Sequence, residues 1–264
     1  MKNKHVFFFI LGLGIFLTGC GVTTEPIDEN TTGFFSQYLV YPFSYLIKVI
    51  AEYFNGNYGV SIILMTILVR LCIMPMMLKQ SKNQISLKEK MAVIQPEIDK
   101  IKKKYEGKND KQIKEKIQQE TIEVYSKFKL NPLSSLGCLP MLIQLPILMG
   151  FYLAIMRTSE IGDHSFLWFS LGEANVLLAL IAAVIYFLQF QTTQLGIETQ
   201  QGQGMIKMMG YLSPILIGVF SLTLPAALPL YWTVGGIFLI LQTFLSKYLY
   251  QSQPKTALSI SVKK

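Results

Sequence analysis

Long apolar stretches alternate with shorter polar ones along this chain, and five of the apolar stretches hold about 20 residues each: Tyr58–Leu78, Leu136–Met156, Asn175–Thr193, Met208–Ala227 and Leu228–Tyr248. A helix rises about 1.5 Å per residue, so about 20 apolar residues cross a hydrocarbon core of roughly 30 Å. Each stretch is therefore predicted to be a transmembrane helix. The last two adjoin, which implies a tight hairpin around Pro225 and Pro229. Ahead of the first span, Phe35, Tyr38, Leu39, Phe43, Leu46, Ile47, Ile50 and Phe54 recur at steps of three and four, with Ser36, Gln37, Ser44, Lys48 and Glu52 between them. That periodicity marks an amphipathic helix within residues 20–57. It suits the outer interface of the membrane and packing against the bundle equally.

Between the first two spans, residues 79–135 form a polar block, and Lys79–Asn131 carries 14 lysines against 8 acids. Leu87, Met91, Ile94, Ile98, Ile101 and Tyr105 alternate steps of four and three, which is a heptad seam. After turn signals at Gly107, Asn109 and Asp110, a second helical pattern carries Ile113, Ile117, Val124 and Phe128. Two helices joined by a short turn bury such seams against each other. Pro96 is expected to kink or divide the first of them, because it has no amide donor and crowds the preceding turn.

Charge orients the chain. Positive loops stay in the cytoplasm, so the hairpin block is inside and the N-terminus outside. Five crossings then leave the tail, residues 249–264, inside; the end of the chain carries Lys247, Lys255, Lys263 and Lys264 and no acid. The loop at 157–174, with Glu160, Asp163 and Glu173, belongs outside, and residues 194–207 form a second cytoplasmic loop. At the other end, Lys2 and Lys4 precede a short apolar run closing in Leu17-Thr18-Gly19-Cys20. Positive, then apolar, then small is the order of a signal peptide over residues 1–19. Its ending resembles the lipobox of bacterial lipoproteins, which implies cleavage before Cys20 and a diacylglyceryl group on its sulfur. That export route agrees with an outside N-terminus.

Composition adds exclusions. The chain is 51% apolar and 15% charged. Cys72 and Cys138 lie in or beside apolar spans, so no disulfide framework is implied, and with His5 and His164 as the only histidines no cluster has metal-ligand spacing. No phosphate-binding glycine loop is present. No span contains His, Asp or Glu, so a nucleophile with a base is lacking and an intramembrane hydrolase is excluded.

One charge stands out. Arg70 is the eleventh residue after Gly59, near the middle of the first span. Left facing lipid, it costs between ~3 and ~10 or more kcal/mol. The usual compensation is a facing carboxylate, but none of the spans supplies one. They supply neutral polar groups: Thr66 one turn before, Gln144 in span two, Gln189 in span three, and Trp232, Thr233 and Gln242 in span five. Amides and hydroxyls hydrogen-bond a guanidinium without neutralising it. Three readings remain open: polar glue between helices, an anion or substrate pathway, and a docking point for an acidic group on another polypeptide.

Four segments carry a resemblance: Tyr58–Pro75 around Arg70, Met91–Tyr105, Asn131–Pro146 and Leu230–Gly236. Together, in order and over about Phe34 to Gln251, they resemble the YidC/Oxa/Alb family of membrane protein insertases, in the five-span lipoprotein form of Gram-positive bacteria. The resemblance implies an all-α membrane protein, with five transmembrane helices around a hydrophilic groove, an amphipathic N-terminal interfacial helix and a cytoplasmic helical hairpin. It implies insertion and chaperoning of nascent membrane proteins, alone or with the Sec translocon, with no cofactor and no enzymatic step. Arg70 matches the family's groove arginine, with Thr66, Gln144, Gln189 and Trp232 as further groove candidates. The basic tail is a candidate ribosome contact. Val234-Gly235-Gly236 departs from the expected Ser/Asn-containing stretch. An anion channel would use the same arginine, but paired broken helices and an internal repeat are lacking; a purely structural lipoprotein has no need of five spans.

Overall fold

The computed structural model describes residues 25–107, 110–128, 139–195 and 204–251. The expected signal peptide, Cys20, Cys138 and most of the tail lie outside the described residues. The chain divides into two compact units, Met1–Val69 with Leu145–Phe238, and Arg70–Gln144 with Leu239–Lys264.

In the first unit a π-helical turn, Ser36–Val40, runs directly into α1, Tyr41–Tyr53. The buried stripe consists of Val40, Ser44, Ile47 and Ala51. Tyr38, Leu46 and Phe54, members of the apolar periodicity, are exposed. Serine is accommodated at the centre of the stripe: the Ser44 hydroxyl pairs with that of Thr158 at 2.6 Å, so no buried polar atom is stranded there. Ser61 of the next helix donates to the Ile47 carbonyl at 2.5 Å. This helix packs one face on the core, and its exposed face carries Tyr45, Leu46, Val49 and Tyr53 together with Glu52.

The next helix, α2, spans Tyr58–Lys104 and is continuous through Pro75 and Pro96. The expected division at Pro96 does not occur. Pro96 is flanked by Ile94 and Ile98, both buried against a second helix, α3, Lys111–Lys127. That packing holds α2 on both sides of the proline, whose lost hydrogen bond and ring clash together cost about 3 kcal/mol. Leu87, Met91, Val124, Tyr125 and Phe128 complete the cluster. At its far end Lys104 and Tyr105 both reach the Glu120 carboxylate, at 2.8 and 2.6 Å. These bonds, from Lys104 first, hold the Glu120 carboxyl below the ordinary carboxylate range. The helical hairpin of the second unit is thus formed by the heptad seam.

α4, Leu139–Arg157, leads through the short α5, Ser159–Gly162, into a two-stranded antiparallel hairpin, β1 (Ser165–Phe166) and β2 (Phe169–Ser170). α6 (Val176–Gln194), α7 (Gly204–Ser221) and α8 (Ala227–Gln251) follow. Asn175 caps α6, its side-chain oxygen accepting from Leu178 N at 3.0 Å. Among the described residues three helical stretches are long and apolar enough to cross a membrane: 58–87, 176–194 and 227–250. Two shorter apolar stretches cover 144–157 and 210–221.

The first unit's core is made by Ile47, Ile62, Met65, Phe151, Leu171, Leu228 and their neighbours, with Phe151 stacked on Tyr231 at 4.5 Å. Glycines set the closest approaches. A Cβ on Gly236 of α8 would meet Ile185 of α6 at 2.6 Å, so this position has no room for a side chain unless Ile185 shifts. At Gly172 an added Cβ would lie 2.5 Å from the Gly162 carbonyl oxygen and 2.8 Å from its Cα. Backbone yields less readily than a side-chain tip. Gly172→Ala is therefore expected to destabilise the first unit by about 1–3 kcal/mol, read as a lower melting temperature of the purified protein in detergent.

Candidate functional site

Arg70 sits inside α2, where its own backbone is satisfied by the helix, and it is only 5% exposed. Nη1 donates to the Oε1 of Gln144, at 3.2 Å, from the N-terminal half of α4. An amide oxygen accepts the proton without cancelling the charge. Among the described residues the ion pairs are Lys48–Glu160 and Lys104–Glu120, and Arg70 belongs to neither. The guanidinium therefore remains a cation, with one of five N–H donors engaged by Gln144.

The same unit holds other polar groups in apolar surroundings. Gln80 Oε1 is buried without a protein partner among the described residues, as is Ser246 Oγ on α8. Gln242, one turn before Ser246, is also buried. Buried polar atoms in proteins are almost always hydrogen-bonded to protein or to water, so these positions are chemically unlike the rest of the helix surfaces.

The remaining candidates belong to the first unit. Thr66, four residues before Arg70 on α2, is buried and donates to the Ile62 carbonyl at 2.6 Å, so its hydroxyl proton serves its own helix. Gln189 is half-buried on α6, where its backbone carbonyl accepts from Thr192 Oγ1 at 2.7 Å. Trp232 is a member of the hydrophobic core, with Tyr231 and Leu228. Of the sequence candidates, Arg70 and Gln144 are joined by a hydrogen bond. Cys20 lies outside the described residues.

A second buried arginine escaped the sequence reading. Arg157 ends α4, and its Nε donates to the Glu25 carbonyl at 2.8 Å while Nη1 donates to Ser36 Oγ at 3.1 Å. Its own carbonyl accepts from Ile27 N at 3.1 Å, and Ile27 is buried in the core. It too has no carboxylate among the described residues. In sequence Arg157 reads as an ordinary interfacial cation at the end of a span.

An open apolar groove of ≈ 420 Å³ runs between α6 and α7, walled by Ala179, Ala183, Phe187, Pro214, Gly218 and Leu222. Its lining contains no charged group.

Residues 49–253 match the family described as the 60Kd inner membrane protein. This chain belongs to the YidC/Oxa/Alb family of membrane protein insertases. A relative in Listeria monocytogenes, membrane protein insertase YidC 2, is 45% identical over 255 residues, covering 96% of this chain and 91% of that one. In Bacillus subtilis, membrane protein insertase MisCA is 46% identical over 240 residues, with 90% and 88% covered. MisCB of the same organism is 40% identical over 269 residues, with 96% and 98% covered. The family's named activity is the insertion of proteins into membranes, so its members are not enzymes in the catalytic sense.

Proposed function

We propose that this chain inserts nascent membrane proteins, and that Arg70 docks the acidic tails of its substrates. The observation that carries the reading is a buried guanidinium bonded to the neutral Gln144, with no carboxylate partner among the described residues. Inserting a short span means carrying its polar tail across hydrocarbon, where a tail carboxylate meets a desolvation penalty of several kcal/mol. An unneutralised cation among hydrated polar groups lowers that penalty partway across. Gln144 orients the guanidinium while leaving donors for an incoming carboxylate.

The working arrangement is a five-span bundle around a hydrophilic groove that opens to the cytoplasm and to lipid. Its N-terminus is outside and anchored through diacylglyceryl-Cys20, α1 lies toward the outer interface, and the α2–α3 hairpin and basic tail are inside. Substrate is captured at the mobile hairpin, its tail docks at Arg70, and the tail is released outward as the apolar span slides into lipid. Thr66, Gln189 and Trp232 complete the groove. Burial of the substrate span drives the step at about 25 cal/mol per Å². The membrane potential acting on an anionic tail adds about 2.3 kcal/mol per charge per 100 mV. Partners are nascent membrane proteins, the Sec translocon, membrane lipids, and the ribosome through residues 249–264.

A photo-crosslinking residue at position 70, 144 or 189 tests this in vesicles carrying a stalled nascent single-span substrate. Adducts with the substrate's tail are expected from 70 and 144. A complete lack of tail adducts at both would remove the docking site.

A further inference from the structure

The β-hairpin between α5 and α6 turns through two residues, Leu167 and Trp168, because Phe166 pairs with Phe169 and Ser165 with Ser170. Leu167 has φ +55°. Two-residue hairpin loops with a left-handed first position ordinarily take glycine there, since a side chain strains that conformation. Here the position holds a leucine that is 73% exposed, followed by a tryptophan that is 55% exposed. Strain together with exposed apolar area, at a turn where Gly or Asn is the unstrained choice, calls for a function.

The hairpin is rigidly seated. Phe169 is buried and meets the Trp168 ring edge-on at 5.3 Å. Phe166 fills the space beside Gly59, and Leu171 is fully buried, its amide bonded to the His164 carbonyl at 2.9 Å. His164 in turn lies 4.7 Å from the Tyr58 ring. Lys48 of α1 pairs with Glu160 of α5 at 2.7 Å, just ahead of the strands. The tip is therefore held out from a fixed base.

We propose that the Leu167–Trp168 tip is a lipid anchor, seating both side chains at the boundary between headgroups and acyl chains. Three observations select lipid as the occupant. Residues 165–171 contain no charged side chain. The tip is continuous in sequence with the start of α6, a helix apolar enough to cross a membrane, whose first exposed residues are Val176 and Leu177. The base is tied to α1, which exposes Tyr45 and Tyr53, and the π-helical turn ahead of it exposes Tyr38. Trp and Tyr gathered at the ends of apolar helices are the composition of a membrane interface. The anchor fixes the depth of the α4–α6 connection, whichever way the protein faces and whatever it inserts.

The chain has two tryptophans, and the other, Trp232, is buried in the core. In proteoliposomes the Trp168 signal is read directly in Trp232→Phe and, independently, as the difference between the parent and Trp168→Phe. A blue-shifted Trp168 emission is expected, losing roughly half or more of its intensity to lipids brominated near the headgroup and less to lipids brominated deep in the chain, with little loss to aqueous iodide. Water-like emission quenched by iodide would overturn the proposal. So would a Trp168 signal protected from iodide and from both lipids, which would place a second copy of the chain over the tip.

Discussion

Arg70→Ala is expected to slow insertion of single-span substrates with acidic tails on the order of 100-fold, while Arg70→Lys retains most activity and Arg70→Glu abolishes it. The size follows from the charge. A cation meeting a carboxylate inside the bilayer offsets a penalty of at least about 3 kcal/mol, and that difference in barrier is about two orders of magnitude in rate. Lysine keeps the charge and loses the planar fork with which Arg70 reaches Gln144 Oε1, so its loss is modest. Glutamate replaces attraction with repulsion. A substrate with a neutral tail should be nearly indifferent to all three changes. The measurement is protease-protected product per unit time in reconstituted vesicles, with purified variants compared at equal folded protein. Normal insertion of the acidic substrate by Arg70→Ala would rule out electrostatic docking.

What the sequence revealed of this architecture divides along a physical line between local and remote partners. The α2–α3 seam was legible because Leu87, Met91, Ile94 and Ile98 repeat within one helix and need only a helix of matching period nearby. The bonded pair of Arg70 with Gln144, 74 residues apart, was legible as residue types: a cation in a span restricts its partner to the few polar groups the spans contain. Arg157 could not be found that way. Its acceptors are a hydroxyl 121 residues away and a backbone carbonyl 132 residues away, and a carbonyl is the same at every position. The β-hairpin was missed because Leu167 and Trp168 lack the Gly or Asn that announces a tight turn. On α1 the helical periodicity was legible, but which residues it buries was not, since Ser44 takes a core position where Thr158 satisfies it. In a membrane protein apolar residues face lipid as readily as core, so hydrophobicity alone does not say which side of a helix is buried.

Arg157 provides the counterpart to Arg70, because both are buried cations without a carboxylate among the described residues and only their acceptors differ. Arg157 joins Glu25, Ser36 and, through its own carbonyl, Ile27 into one knot at the end of α4. Removing its side chain breaks two charge-assisted hydrogen bonds worth about 1.5–3 kcal/mol each and leaves the Glu25 carbonyl and the Ser36 hydroxyl to find other partners. Arg157→Ala is accordingly expected to destabilise the first unit by about 2–4 kcal/mol, with faster amide exchange and protease cutting over residues 25–31. Arg157→Lys should recover part of this, since an ammonium lacks the fork that spans both acceptors. The decisive contrast is selectivity. Loss of Arg157 should lower insertion of acidic-tailed and neutral-tailed substrates alike, in proportion to folded protein, whereas loss of Arg70 should discriminate between them at little cost in melting temperature. If Arg157→Ala discriminated by tail charge as Arg70→Ala does, the division into a structural and a docking cation would fail. Buried charge would then not be enough to tell the two apart.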